Sequence, residues 1–328
     1  MIGVLCGFLT AFAVALILLP INIRLVKRLK AGQPILSYVD NHKVKQGTPT
    51  MGGASIVLAL LPAIAFTRRG DLTTAIILIV TVGYALIGFI DDFIKVKYKD
   101  NKGLSAAQKI IFQVMLAVIV SVYAYYEPTV GGAVYAPFAP KQIELGRFAP
   151  VYFIFIFLAF TNSVNLTDGL DGLAASVTAT NALFLCAVLG IALSAGVLAG
   201  DGVVDMIILC AALGGSLCAF LCYNTHPAKI FMGDTGSMAL GGFLACIAVL
   251  CKMSLSMLLI GIMYIVTSLS VIIQVIAFKT TRKRVFLMSP LHHHFERKGI
   301  FEGKIAVVYT LVTFVCGIVT VALMLALY

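Results

Sequence analysis

The chain has 328 residues, 61% of them hydrophobic and only 12% charged, with a mean hydropathy of +1.04 and a formal net charge of +10. A soluble domain carries roughly 25% charged residues, so the composition excludes a soluble globular protein and points to an integral membrane protein. The net positive charge does not argue for a nucleic-acid partner, because the basic residues sort by loop.

Apolar runs of about 20 residues recur along the chain, long enough for spanning helices rather than barrel strands. Ten spans are predicted, at about 2–20, 51–67, 72–90, 107–126, 150–164, 175–198, 203–222, 236–251, 255–278 and 304–327. The first run, Ile2 to Leu19, has no basic residue before it and no small-residue cleavage site after it, so it reads as a span and not a cleaved leader. An even count puts both termini on one side. The face reached after the first span holds 19 of the 24 Lys and Arg residues; Arg68, Arg69, Lys141, Arg147 and Lys252 make up the other five. The positive-inside rule then places the basic face in the cytoplasm and both termini outside. The outer segment 127–150, with Gly131-Gly132 and four prolines, suits a small hairpin. Segment 279–295 mixes bases with Val285, Phe286 and Leu287 and suits an amphipathic interfacial helix. The eight cysteines lie in or at the ends of apolar spans without a Cys-x-x-Cys pair, as small buried hydrophobes do. The expected fold is all-α and polytopic, a single domain over 1–328.

The carboxylates sort as the bases do. Asp91 and Asp92 close the third predicted span, Asp168 and Asp171 follow the fifth, and Asp234 precedes the eighth. Five acids thus converge on the basic face. Taken singly each is a solvated cap or half of an ion pair, as Asp91 is with Lys95 at i+4. Taken together they call for a cation, because adjacent acids repel and uncompensated acid beside a hydrophobic span is costly. Oxygen ligands without thiolates favour Mg²⁺, which takes one or two carboxylates plus substrate phosphates. His292-His293-His294 is a poor zinc site, since consecutive helical side chains point about 100° apart; these histidines read as hydrogen-bond or phosphate contacts. Two loops add anion-binding features: 42–53, with His42, Lys45, Thr50, Gly52 and Gly53, and 233–237, which opens a helix. Asn224 ends the seventh span on the same face. A transporter would place ionisable groups at mid-membrane, whereas the centres of these spans carry none. Metal-assisted transfer of a phosphoryl group between a soluble pyrophosphate and a lipid phosphate fits better.

Five motifs carry a resemblance: Gly47-Thr-Pro-Thr-Met-Gly-Gly53, Gly88-Phe-Ile-Asp-Asp92, Asn162-Ser-Val-Asn-Leu-Thr-Asp-Gly-Leu-Asp-Gly172, Phe231-Met-Gly-Asp-Thr-Gly-Ser237 and Ser289-Pro-Leu-His-His-His-Phe-Glu296. In this order, from about 40 to 320, the chain resembles the phospho-N-acetylmuramoyl-pentapeptide transferase family. The aspartate motifs alone would also fit sister enzymes that use UDP-GlcNAc. The resemblance implies UDP-MurNAc-pentapeptide and undecaprenyl phosphate as substrates, lipid I and UMP as products, Mg²⁺ as cofactor, a cytoplasm-facing catalytic cleft and a homodimer. It implies Asp234 as metal ligand, with Asp91, Asp92 and Asp168 nearby, and Asp91 as base. Lys45, Asn162, Asp168, Asp171, His292, His293, Lys109 and Asn224 match other site positions. Asn165, Asp171, Phe231, Gly233 and Gln274 match the uridine pocket, with Thr50, Ser237 and His294 beside them. Direct attack and a covalent phospho-enzyme both remain open.

Overall fold

The computed structural model describes residues 2–28, 47–68, 72–98, 103–136 and 141–327. Their order is α1 (Ile2–Arg28), α2 (Gly53–Leu60), α3 (Leu72–Tyr98), α4 (Ala106–Tyr126), the hairpin β1 (Ala133–Tyr135) and β2 (Gln142–Glu144), then α5 (Ala149–Thr167), α6 (Leu173–Ser194), α7 (Asp201–Asn224), α8 (Gly233–Leu250), α9 (Ser254–Ile260), α10 (Ile262–Thr281), α11 (Leu291–Arg297) and α12 (Glu302–Leu327). Nine helices among the described residues are long and apolar enough to cross a membrane. The chain is an all-α, multi-pass membrane protein.

Helix α8 is the axis of the bundle. Its sequence is small or apolar on every side, and a helix hydrophobic all round is a buried one; nearly every residue from Thr235 to Leu250 is buried. Helices α3, α5 and α2 pack around it, and α7 packs between α1 and α6. Close approach depends on absent side chains. A methyl group on Gly53 would overlap the Gly236 backbone, and one on Gly88 would overlap the Asp234 carbonyl. Small residues at such crossings let backbones meet. The outer faces of α1, α4 and α12 expose Leu, Ile and Val, as lipid-facing helices do.

Several boundaries differ from the expectation. The second span is short: α2 passes at Leu61 into a 3-10 turn, Leu61–Phe66, because Pro62 has no N–H to continue the α-helical ladder. The third helix runs past Asp91 and Asp92 to Tyr98, so the pair lies within the helix and not at its end. Likewise α5 continues through Asn162 and Asn165 to Thr167, so Asp168 caps a helix while Asp171 sits in the turn after it. The ninth span is interrupted at Gly261, between α9 and α10. Segment 279–295 is not one interfacial helix: α10 extends to Thr281, an irregular stretch follows, and α11 has seven residues. The hairpin expected in segment 127–150 is present, with Val134 opposite Ile143.

Candidate active site

Three of the five acids meet. Asp91, Asp92 and Asp234 each offer an oxygen, and these atoms lie within 4.8 Å of one another. The three are held differently. Fully buried Asp91 accepts a hydrogen bond at Oδ1 from the Leu104 N–H (2.7 Å), and its Oδ2 pairs with Lys95 (2.6 Å) and Lys109 (3.0 Å). Asp234 Oδ2 faces the same two ammonium groups, at 3.1 Å and 2.6 Å. Its Oδ1 accepts from Asn165 Nδ2 (2.9 Å), which also reaches the Ser237 hydroxyl (2.9 Å).

Asp92 does something else. Its oxygens accept from the Asp234 N–H (3.1 Å), the Thr235 N–H (2.9 Å) and the Thr235 hydroxyl (2.7 Å). The first N–H groups of a helix lack internal partners. Helix α8 has no side-chain cap of its own, so a carboxylate from α3 takes that place and adds the favourable pairing of an anion with a helix N-terminus. Gly233, at φ +73°, makes room: a methyl group there would press on Asp92 Oδ2 and on the buried Thr50 hydroxyl.

Three carboxylates against two lysines leave the cluster net negative. The donors are hard oxygens, and two ammonium groups already stand between Asp91 and Asp234. The oxygen donors and the remaining negative charge fit a small divalent cation such as Mg²⁺. A cavity of about 460 Å³ opens at Asp91, Lys95, Gly103 and Lys109.

Asp168 and Asp171 lie apart from that triad. The half-buried Asp168 caps α5 with its N–H on the Val164 and Asn165 carbonyls (both 3.2 Å), while its carboxylate has no hydrogen bond or ion pair among the described residues. Burial, reinforced by the charges of Asp234, Asp92 and Asp171, pushes its carboxyl up to about 8. Buried Asp171 accepts at Oδ2 from the Ala228 N–H (3.1 Å) and contacts His226 Nδ1 at 3.0 Å. With Glu302 these two form a second group whose ligand atoms lie within 4.8 Å. Asn224 ties this wall together: its Oδ1 accepts from the Gly172 N–H (3.1 Å), and its Nδ2 donates to the Ile230 carbonyl (2.9 Å). Phe231 is pinned by its backbone, its N–H on the Pro49 carbonyl (2.8 Å) and its carbonyl on the Gly52 N–H (2.9 Å).

The histidines occupy three environments, as their helical spacing requires. His292 is fully buried, and neither ring nitrogen has a hydrogen-bond partner among the described residues. Burial, then the neighbouring His293, hold its pKa well below the usual imidazole range. Its Nε2 lies where a methyl group on Gly169 would stand, so this glycine brings α11 against the 168–172 turn. His293 Nδ1 contacts Glu296 at 2.8 Å, and His294 Nδ1 accepts from the Leu287 N–H (3.1 Å).

Two expected site residues face elsewhere. The Asn162 amide pairs with Gln113 of α4 (2.8 Å) and the Leu158 carbonyl (2.8 Å). Gln274 donates to the Phe286 carbonyl and accepts from the Val285 and Phe286 N–H groups. Lys45 lies outside the described residues. Lys95, read from sequence only as the ion-pair partner of Asp91, joins Asp234 as well, Thr235 of the 233–237 loop holds Asp92, and His226, which had no local signal, meets Asp171.

Comparison with known proteins adds two findings. Residues 74–252 match the family model described as glycosyl transferase family 4. Relatives named phospho-N-acetylmuramoyl-pentapeptide-transferase match most of the chain, three of them as follows. The chain is 41% identical to the one from Clostridium novyi, over 93% of this chain and 92% of the relative. It is 43% identical to the one from a Geobacillus species, over 92% of each. It is 44% identical to that of Anoxybacillus flavithermus, over 91% of each.

Proposed function

The chain belongs to the phospho-N-acetylmuramoyl-pentapeptide-transferase family, and from that premise we propose that it transfers phospho-MurNAc-pentapeptide from UDP-MurNAc-pentapeptide to undecaprenyl phosphate, releasing UMP and forming lipid I, a membrane step of peptidoglycan synthesis. The observation that supports this most directly is the meeting of Asp91, Asp92 and Asp234 with Lys95 and Lys109 at one end of an apolar bundle. Phosphoryl transfer asks little covalent work of a protein; it needs positioning and charge stabilisation.

In this reading Asp234 is the direct Mg²⁺ ligand, with Asp91, Asp92 and Asp168 nearby. Bound Mg²⁺ would neutralise the donor pyrophosphate and stabilise the departing UMP phosphate. The protein's own groups do the rest. Asn165 fixes the Asp234 carboxylate through Oδ1, leaving Oδ2 to the site. Asp92 holds the first turn of α8, and so Asp234, in register. Lys95 and Lys109 turn from the carboxylates to the donor's phosphate oxygens as the donor enters. Asp91 takes the proton from the lipid phosphate. The wall made by Thr50, Asp171, Asn224, Phe231, Gly233 and Ser237 receives the nucleoside. Neutral His292, with His293 and His294 on the same short helix, supplies ring nitrogens opposite Gly169. Asn162 and Gln274 act as positioning residues through Gln113 and the 285–286 backbone. Lys45 keeps the anion-binding role read from its loop, at a position that matches a site residue of the family.

We also propose one domain over 1–328 with ten spans, the short α2 segment counted among them, both termini outside, the acidic cluster facing the cytoplasm of a bacterial cell, and a homodimeric assembly. The basic loops support the orientation. Purified protein given undecaprenyl phosphate, Mg²⁺ and either UDP-MurNAc-pentapeptide or UDP-GlcNAc tests the activity. UMP release from the first alone is expected; release from UDP-GlcNAc alone moves the chain to the sister specificity.

A further inference from the structure

At the end of the bundle that holds the acid triad, a cavity of about 440 Å³ opens between the last turns of α1, residues 47–49 and the loop after α7. Ligand sites run to roughly 300–1,000 Å³. Arg24 and Lys27 of α1 and Lys229 of the loop line it, with Tyr223 beside them and Pro20 and Ile23 supplying an apolar part. No acid lines it among the described residues. The side chains of Arg24, Lys27 and Lys229 likewise have no hydrogen bond or ion pair among the described residues. Three like charges around one cavity repel one another, and an anion seated there relieves the repulsion.

The wall facing α1 is fixed by its backbone. The Lys229 N–H is held on the Tyr223 carbonyl (2.7 Å), the Ala228 N–H on Asp171 (3.1 Å) and the Phe231 N–H on the Pro49 carbonyl (2.8 Å). Lys229 therefore issues from a set position. Across the cavity, Arg24 and Lys27 stand one turn apart on α1. Ile17 stands two turns before Arg24 on nearly the same line of the helix. Ile17, Ile21 and Leu25 are exposed, as lipid-facing residues are. The basic cavity thus runs onto a surface suited to acyl chains. It also lies on a different side of the bundle from the reacting groups: α1 packs on α2 and α7, whereas Asp91, Lys95 and Lys109 stand on α3 and α4.

A free phosphate would use the three bases but not the apolar strip, and an acidic peptide would leave that strip bare. A glycerophospholipid uses both, and basic pockets between spanning helices bind such headgroups. We propose that this cavity holds the phosphodiester headgroup of an anionic glycerophospholipid, bound by Arg24, Lys27 and Lys229, with its chains along Ile17 and Ile21. The bound lipid is a resident of the fold and not the phosphate acceptor, so the site stands whether or not the transferase reading does.

The full chain in detergent is titrated with phosphatidylglycerol or with phosphatidylcholine, bound lipid is counted by native mass spectrometry, and the unfolding midpoint is followed in parallel. Phosphatidylglycerol should be retained in preference and should raise the midpoint, as a ligand of the folded state does. Arg24→Gln, Lys27→Gln and Lys229→Gln should each weaken its binding about fivefold, which corresponds to about 1 kcal/mol per base at a membrane surface. Lys298→Gln, which removes an exposed base after α11, should leave binding within about twofold. Equal retention of the two lipids overturns the proposal. So does an equal loss in Lys298→Gln, which would mark a diffuse attraction of the whole basic face. Millimolar inorganic phosphate matching the rise in midpoint would make this a site for free phosphate, and displacement of phosphatidylglycerol by undecaprenyl phosphate at equal mole fraction would give it to the acceptor; either result overturns the assignment.

Discussion

Replacing Asp92 separates its two possible jobs. As the cap of α8 it satisfies two buried backbone N–H groups and one hydroxyl. In Asp92→Ala those donors lose their acceptor inside the bundle. Each unsatisfied buried donor costs about 1–3 kcal/mol, and the Thr235 hydroxyl can rotate to another acceptor, so the two amides set the loss at about 2–6 kcal/mol. Asp92→Asn keeps one acceptor oxygen but turns an NH₂ towards a donor, which retains about half of that. Buried Cys210, Cys246 and Cys251 report unfolding when a thiol-reactive dye reaches them on heating. The expected order of midpoints is unsubstituted protein, then Asp92→Asn, then Asp92→Ala, with UMP release at low temperature following the folded fraction. An Asp92→Ala midpoint equal to that of the unsubstituted protein would refute the cap. An Asp92→Asn protein with full stability and no turnover would assign the charge to the chemistry instead.

The other acids and the buried histidine give three further expectations. Asp234→Asn should abolish UMP release while the melting midpoint stays within a few degrees; near-normal turnover would sink the metal assignment. Asp91→Asn should lower the rate, and a full rate at every pH would remove Asp91 as the base. Because the folded pKa of His292 is depressed, the unfolded chain takes up its proton first as pH falls below about 6.5. Its contribution to stability is therefore complete above that pH and declines below it, by at most about 1.4 kcal/mol per pH unit. The midpoint should fall between pH 6.5 and 5 more steeply than in His292→Gln; equal slopes would show that the ring is not held neutral.

The convergence of Asp91, Asp92 and Asp234 could be read from sequence because acid is rare and costly in so apolar a chain. What escaped was decided by tertiary placement. Hydropathy ends the third span at the acids, yet nothing there breaks a helix, so α3 carries Asp91 and Asp92 inside it and turns Lys95 onto the site. Asp168 and Asp171 stand three residues apart after the fifth predicted span, yet the helix ends at Asp168 and Asp171 joins His226 from another loop. Gln113 gave no signal at all, because its pairing with Asn162 exists only once α4 lies against α5.

The cap of α8 comes from a residue 142 positions earlier in the chain. During synthesis α3 therefore enters the bilayer long before the amides it will satisfy have been made. Until α8 arrives, Asp91 can neutralise Lys95 on its own helix, one turn away, but Asp92 has no amide to hold. Arrival of α8 joins two late events: the last acid of the triad reaches the site, and the waiting carboxylate finds its donors. The protein thus gains its stability and its chemistry in the same step, and a chain interrupted before α8 lacks both.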